Sequence, residues 1–156
     1  MRKLWDKSRD MTTKFASTIE LGAYGERLAV AYLKGQGYRI VVTNYTAPVG
    51  RSRNGRPITG EIDIIAYDPA GVLCFIEVKT RTSDAFATPQ AAVDLRKQRQ
   101  IIRTSSVYRR VLQLSGESYR YDVVSVLIAT AEPEVTLLQA YFSDDRFQRS
   151  NWRKSY

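Results

Sequence analysis

Two apolar, β-branched runs, EIDIIAYD and VLCFIEVKT, flank the turn Asp68-Pro69-Ala70-Gly71, and this pairing constrains the fold more than any other part of the chain. Runs of that composition, broken by a short Pro/Gly turn, predict two strands joined as a hairpin. Acids are rare in buried strands, yet the stretch carries Glu61, Asp63 and Glu77, with Lys79 close behind. Strand side chains alternate, so Phe75, Glu77 and Lys79 share one face while Ile76 and Val78 share the other. Asp63 is expected on the face opposite Ile62 and Ile64. If the hairpin register sets Asp63 beside Glu77, two carboxylates and an ammonium meet at one end of a sheet.

The flanking segments supply the rest of a fold. Upstream, IELGAYGERLAVAYLKGQGY places Leu21, Tyr24, Leu28 and Tyr32 at helical spacing, and Gly35 and Gly37 end the helix. YRIVVTNYT predicts a first strand. Between it and the hairpin lies APVGRSRNGRPITG, which has no period and is expected to be a long Arg-rich surface loop inserted over 48–60. Thr88-Pro89 suits a helix opening, although regular helix is expected only from Asp94. Beyond it Gln98, Ile101, Ser105, Tyr108 and Leu112 fall on one helical face. SYRYDVVSVLIA then predicts a strand buried on both faces, and EVTLLQAYF a last, edge strand. The order is α-β-β-β-α-β-β, an α/β protein with a central mixed β-sheet flanked by helices. One domain is expected over 18–143, between a basic N-terminal arm, 1–17, and a basic C-terminal tail, 144–156.

Composition narrows the chemistry. None of the 156 residues is histidine, which removes Ser-His-Asp and Cys-His catalysis and leaves almost no soft ligand for zinc. The single cysteine, Cys74, sits in the apolar run VLCFI and reads as a core residue; with no intramolecular disulfide possible, a reducing, cytoplasmic setting is expected. No apolar run approaches the roughly 20 residues that span a bilayer, so no membrane partner is expected. With 24 Lys and Arg against 16 Asp and Glu, the formal charge is +8, which points to a polyanion such as nucleic acid, although charge alone leaves other readings open. Arg51, Arg53, Arg56, Arg81, Arg96, Lys97 and Arg99 are the candidate phosphate contacts.

Two close carboxylates both stay ionised only with a cation between them. A hard divalent ion held by oxygen fits, and Mg²⁺ accepts one or two carboxylates together with water and substrate phosphate. Asp63 and Glu77 would be its ligands, with the Val78 backbone carbonyl as a further donor and Lys79 beside the attacking water. Glu26 lies near the packed face of the first helix. It could reach the ion directly, complete the shell through water, or pair with a lysine. Against this, acid-lysine alternation is common on solvated sheet faces, Glu61 reads as an exposed strand-start residue, and Gln98 as a boundary residue.

The ordered set GAYGERLAVAYLKGQGY, TNY, GEIDIIAYD, FIEVKTRTS, AAVDLRKQRQ and YRYDVVSV resembles the PD-(D/E)XK nuclease superfamily. More closely it resembles the YraN family of small bacterial proteins, related to archaeal Holliday-junction resolvases. The resemblance implies a restriction-endonuclease-like core, with Asp63 and Glu77 as metal ligands, Lys79 as the catalytic lysine and Glu26 as the first-helix acid. It implies that Gln98 assists the site or contacts phosphate. The family's later-strand acid falls on Asp122, for which a structural role is preferred. The implied activity is Mg²⁺- or Mn²⁺-dependent endonucleolytic cleavage of DNA, including branched or other structured DNA, and a homodimer is plausible because junction resolvases need two active sites. The alternative is a non-catalytic nucleic-acid-binding module on the same fold.

Overall fold

The structure, a computed structural model, describes residues 15–82, 93–129 and 131–147. The Thr88-Pro89 helix opening and most of both basic termini lie outside them. The elements are α1 (Thr18–Gly35), β1 (Arg39–Arg51), β2 (Pro57–Tyr67), β3 (Leu73–Arg81), α2 (Leu95–Val111), β4 (Tyr119–Leu127) and β5 (Glu134–Phe142), in the expected order.

Local chemistry sets the helix starts. Ser17 Oγ accepts the Glu20 N–H at 3.2 Å while the Glu20 carboxylate accepts the Ala16 N–H at 2.9 Å, a reciprocal cap on α1. Asp94 caps α2 by accepting the Lys97 N–H at 2.7 Å. Gly37, at φ 84°, turns the chain out of α1 into β1.

The five strands form one sheet in the order β1-β2-β3-β4-β5. The first three run antiparallel, β3 and β4 are parallel with α2 as their crossover, and β5 closes the sheet antiparallel to β4. The α1 face buries Ala29 and Leu33 against Ile64, Ile76, Val78 and Val124. On the opposite face Ile101 and Tyr108 of α2 pack on Ile65, Phe75, Tyr121 and Val123. Gly25 of α1 lies so close to Thr80 that a Cβ there would overlap the threonine hydroxyl. Cys74 is fully buried in the α1-side core. Asp122, also fully buried, accepts Arg120 Nε on both oxygens at 3.0 Å and the Ala140 N–H at 2.8 Å. These partners supply the hydrogen bonds that a buried carboxylate requires, so its role is to hold β4 to β5. No helix among the described residues is long and apolar enough to cross a membrane.

Two expectations need correction. The stretch read as an inserted loop over 48–60 is mostly paired strand. The β1–β2 ladder runs on through Ala47↔Gly60 and Pro48↔Thr59 to Arg51↔Pro57, leaving only 52–56 as the turn. Strict alternation around Asp63 also fails. Ile62 packs into the α2-side core and Ile64 into the α1-side core, although they are two residues apart. Opposite, Asn44 adopts the left-handed conformation at φ 53°, which Asn tolerates better than most residues. The β1–β2 ribbon therefore changes face at Asn44 and Asp63.

Candidate active site at a fork in the sheet

The face change opens the sheet. Registered β2–β3 pairs run from Tyr67↔Leu73 to Ile64↔Ile76 and stop, while β3 continues beside β4 as far as Arg81↔Leu127. At the fork the Asp63 side chain takes over from the ladder, its Oδ2 accepting the Val78 N–H at 2.7 Å. Beyond it the arm leans on α2. Gln100 Nε2 donates to the Thr59 carbonyl at 3.2 Å, and Gly60 is buried against Thr104, whose hydroxyl would overlap any Cβ at that position.

Glu77 lies in this opening with only 3% of its side chain exposed. Lys79 Nζ stands 2.8 Å from Oε1 and Lys97 Nζ 3.2 Å from Oε2. Oε2 makes no hydrogen bond of good geometry, so Lys97 is a charge neighbour only. Burial, followed by the field of Glu77, pushes the Asp63 carboxyl up from its ordinary 3.8 to about 7, against the opposing pull of the Val78 N–H and Lys97. Glu26 is raised as well, first by burial and then by the fields of Glu61 and Glu77. Asn44 Nδ2 donates to its Oε2 at 2.9 Å.

The structure thus brings together Asp63, Glu77 and Lys79, with Val78 present through its main chain and Glu26 near enough for its charge to be felt. Glu61 is exposed but sits within β2 rather than at its start, and its field reaches Glu26. Gln98 Nε2 donates to the Val93 carbonyl at 2.9 Å. Of the basic candidates, Lys97 points into the site. Arg81 donates to Ser125 Oγ at 3.1 Å, Arg51 to the Gly55 carbonyl at 2.9 Å, and Arg99 lies over the Phe147 ring. Arg53, Arg56 and Arg96 are exposed. Sequence reasoning missed Lys97 as the second partner of Glu77 and Asn44 as the partner of Glu26; the one available signal for Asn44 was a polar residue inside the strand run YRIVVTNYT.

Among the described residues no three His, Cys, Asp or Glu side chains form a group that could hold a metal ion. The two carboxylates at the fork nonetheless suit a hard ion that keeps several waters of its own. Asp63 is destabilised as an anion, and Glu77 Oε2 has an unfilled acceptor position.

A five-stranded mixed sheet between two helices, in this element order and with acids and a lysine at the β2–β3 fork, has the layout of a nuclease-like core. The chain belongs to uncharacterised protein family UPF0102, the YraN family, whose profile it matches over residues 25–126. A UPF0102 protein of Chlorobaculum parvum is 46% identical over 112 residues, 72% of this chain and 78% of the relative. Its counterpart in Koribacter versatilis is 38% identical over 124 residues, 80% of each chain. One from Alkaliphilus oremlandii is 38% identical over 125 residues, 79% of this chain and 97% of the relative.

Proposed function

We propose that the protein is a metal-dependent endonuclease that hydrolyses phosphodiester bonds in DNA, with branched or otherwise structured DNA as its substrate class. The observation that carries this reading is the convergence of Asp63, Glu77 and Lys79 at the fork, an ammonium 2.8 Å from a nearly sealed carboxylate. Asp63 and Glu77 would hold Mg²⁺ or Mn²⁺, with the Val78 carbonyl as a further donor and Glu26 acting through water. A bound ion supplies Lewis acidity toward a phosphate oxygen and makes its own water a better nucleophile.

The chain's own groups do the rest. Lys79 orients the attacking water and meets the negative charge that builds on the phosphoryl oxygens; because the strand fixes its backbone, little reorganisation is needed at that moment. Lys97 Nζ, 3.2 Å from Glu77 Oε2, places a second positive charge beside the phosphate that the site would receive. Arg53, Arg56 and Arg96, with Arg51, Arg81 and Arg99 in support, contact phosphates on either side and set the strand's position without reading its sequence.

The test is a cleavage screen with Mg²⁺ and Mn²⁺ over single-stranded, duplex, flap and four-way-junction DNA. Asp63→Asn, Glu77→Gln and Lys79→Met are each expected to lower cleavage by at least about 100-fold with unchanged circular dichroism. Cutting that persists in all three would remove the assignment. One observation favours a second reading, a nucleic-acid-binding module without catalysis: Glu77 already has two lysines beside it and does not need a metal to offset its charge. In that case binding is salt-sensitive and metal-independent, and the same screen shows no cleavage.

A further inference from the structure

Beside the fork, α1 and the β1–β2 ribbon enclose a groove of about 630 Å³. We infer that it is a subsite for one unpaired nucleotide, so that the preferred substrate carries a single-stranded arm. The inference rests on the endonuclease reading for the scissile phosphate that this nucleotide adjoins; the groove itself does not depend on it.

Four features support this. The volume falls in the range of roughly 300–1,000 Å³ usual for small-molecule pockets. A duplex, whose major groove alone is about 12 Å wide, cannot enter such a space, whereas one splayed nucleotide can. Val30, Ala31 and Ile64 contribute apolar wall, and the small alanine leaves room for a flat ring against it. Thr43 and Asn44 add a hydroxyl and a carboxamide, the groups that hydrogen-bond the edge of an unstacked base.

The charges are arranged to suit a nucleotide as well. Arg27 and Lys34 also line the groove; both are exposed, and among the described residues neither forms an ion pair. They are the cations to which a phosphate would bind. Asp63 and Glu26 line the same groove, so a nucleotide held there has its phosphodiester next to the proposed chemistry. This placement also gives the TNY segment a role that the metal ligands leave unexplained: Thr43 and Asn44 line the groove, while Tyr45 packs on Tyr108 in the core on the other face of the sheet.

A flap DNA with 2-aminopurine at the branch point tests this in metal-free buffer, because that base brightens when it leaves the stack. The wild-type protein is expected to raise the emission on the flap and not on a blunt duplex carrying the same label. Ala31→Trp fills the groove from an exposed helix position, and Lys34→Glu reverses an exposed charge at its edge. Each should remove the rise and lower the flap-over-duplex affinity ratio about tenfold. Asp63→Asn should keep the rise while losing cleavage. No rise with the wild-type protein, or a ratio that Ala31→Trp and Lys34→Glu both leave intact, overturns the inference. Cleavage in Mg²⁺ without any rise rejects the subsite and leaves the hydrolase; a rise without cleavage of any substrate does the opposite.

Discussion

Asp63 occupies a position where its charge is unwelcome and its oxygen atoms are needed. Burial and the neighbouring Glu77 lift its carboxyl from 3.8 to about 7, so the metal-free folded protein keeps a proton that the unfolded chain loses near pH 4. Between those values the native state binds more protons, and stability must fall as pH rises through the window. Metal-free thermal unfolding is expected to show the midpoint declining from pH 4 to pH 7, and Asp63→Asn, which can still accept the Val78 N–H, should flatten that decline. A midpoint that rises across the range in the wild-type protein would contradict the assignment. Glu77 and Lys79 were legible as neighbours because strand alternation is short-range, whereas Asp63 was legible only as a conditional, since alternation breaks there and the paired register ends at Ile64↔Ile76. Lys97 as a partner of Glu77 was not legible. Its meeting with Glu77 depends on how α2 rolls against β3, and no local pattern records that angle.

At the scale of elements, the β1–β2 arm shows why its sequence misleads. Pro48, Gly50 and Pro57 read as strand breakers, but β1 is an edge strand, Pro57 is the first residue of β2, and Gly50 adjoins a register shift. These are the places where a sheet tolerates such residues. The helices, β3, β4 and β5 were all legible, since their apolar periods are uninterrupted. What ties the arm to α2 is the absence of a side chain at Gly60. Gly60→Ala is expected to cost about 1–3 kcal/mol in urea unfolding, as overpacked contacts do. Adding Thr104→Ala, which removes the obstructing hydroxyl, should recover part of that loss. Equal stability of Gly60→Ala and the wild-type protein would mean that the arm and helix are not in close contact.

Across the described residues, exposed basic side chains occur on several of the elements around the fork. Arg53 and Arg56 are exposed in the turn segment of the arm, Arg96 is exposed on the first turn of α2, and Arg27 and Lys34 are exposed on α1. A polyanion laid across these elements would displace counterions from several phosphates at once. Replacing Arg53 and Arg56 together by alanine should reduce the slope of log affinity against log salt by about 1–2, with little change in Mg²⁺ affinity. An unchanged slope would exclude the arm from the binding surface.

Gly25 immediately precedes Glu26, and Thr80 immediately follows Lys79, so where those two residues touch, α1 and β3 rest on each other like the closed jaws of a caliper. The acid of one jaw and the lysine of the other are set apart by a contact between two groups that have no part in the chemistry. One added methyl group at Gly25 would reset that measurement.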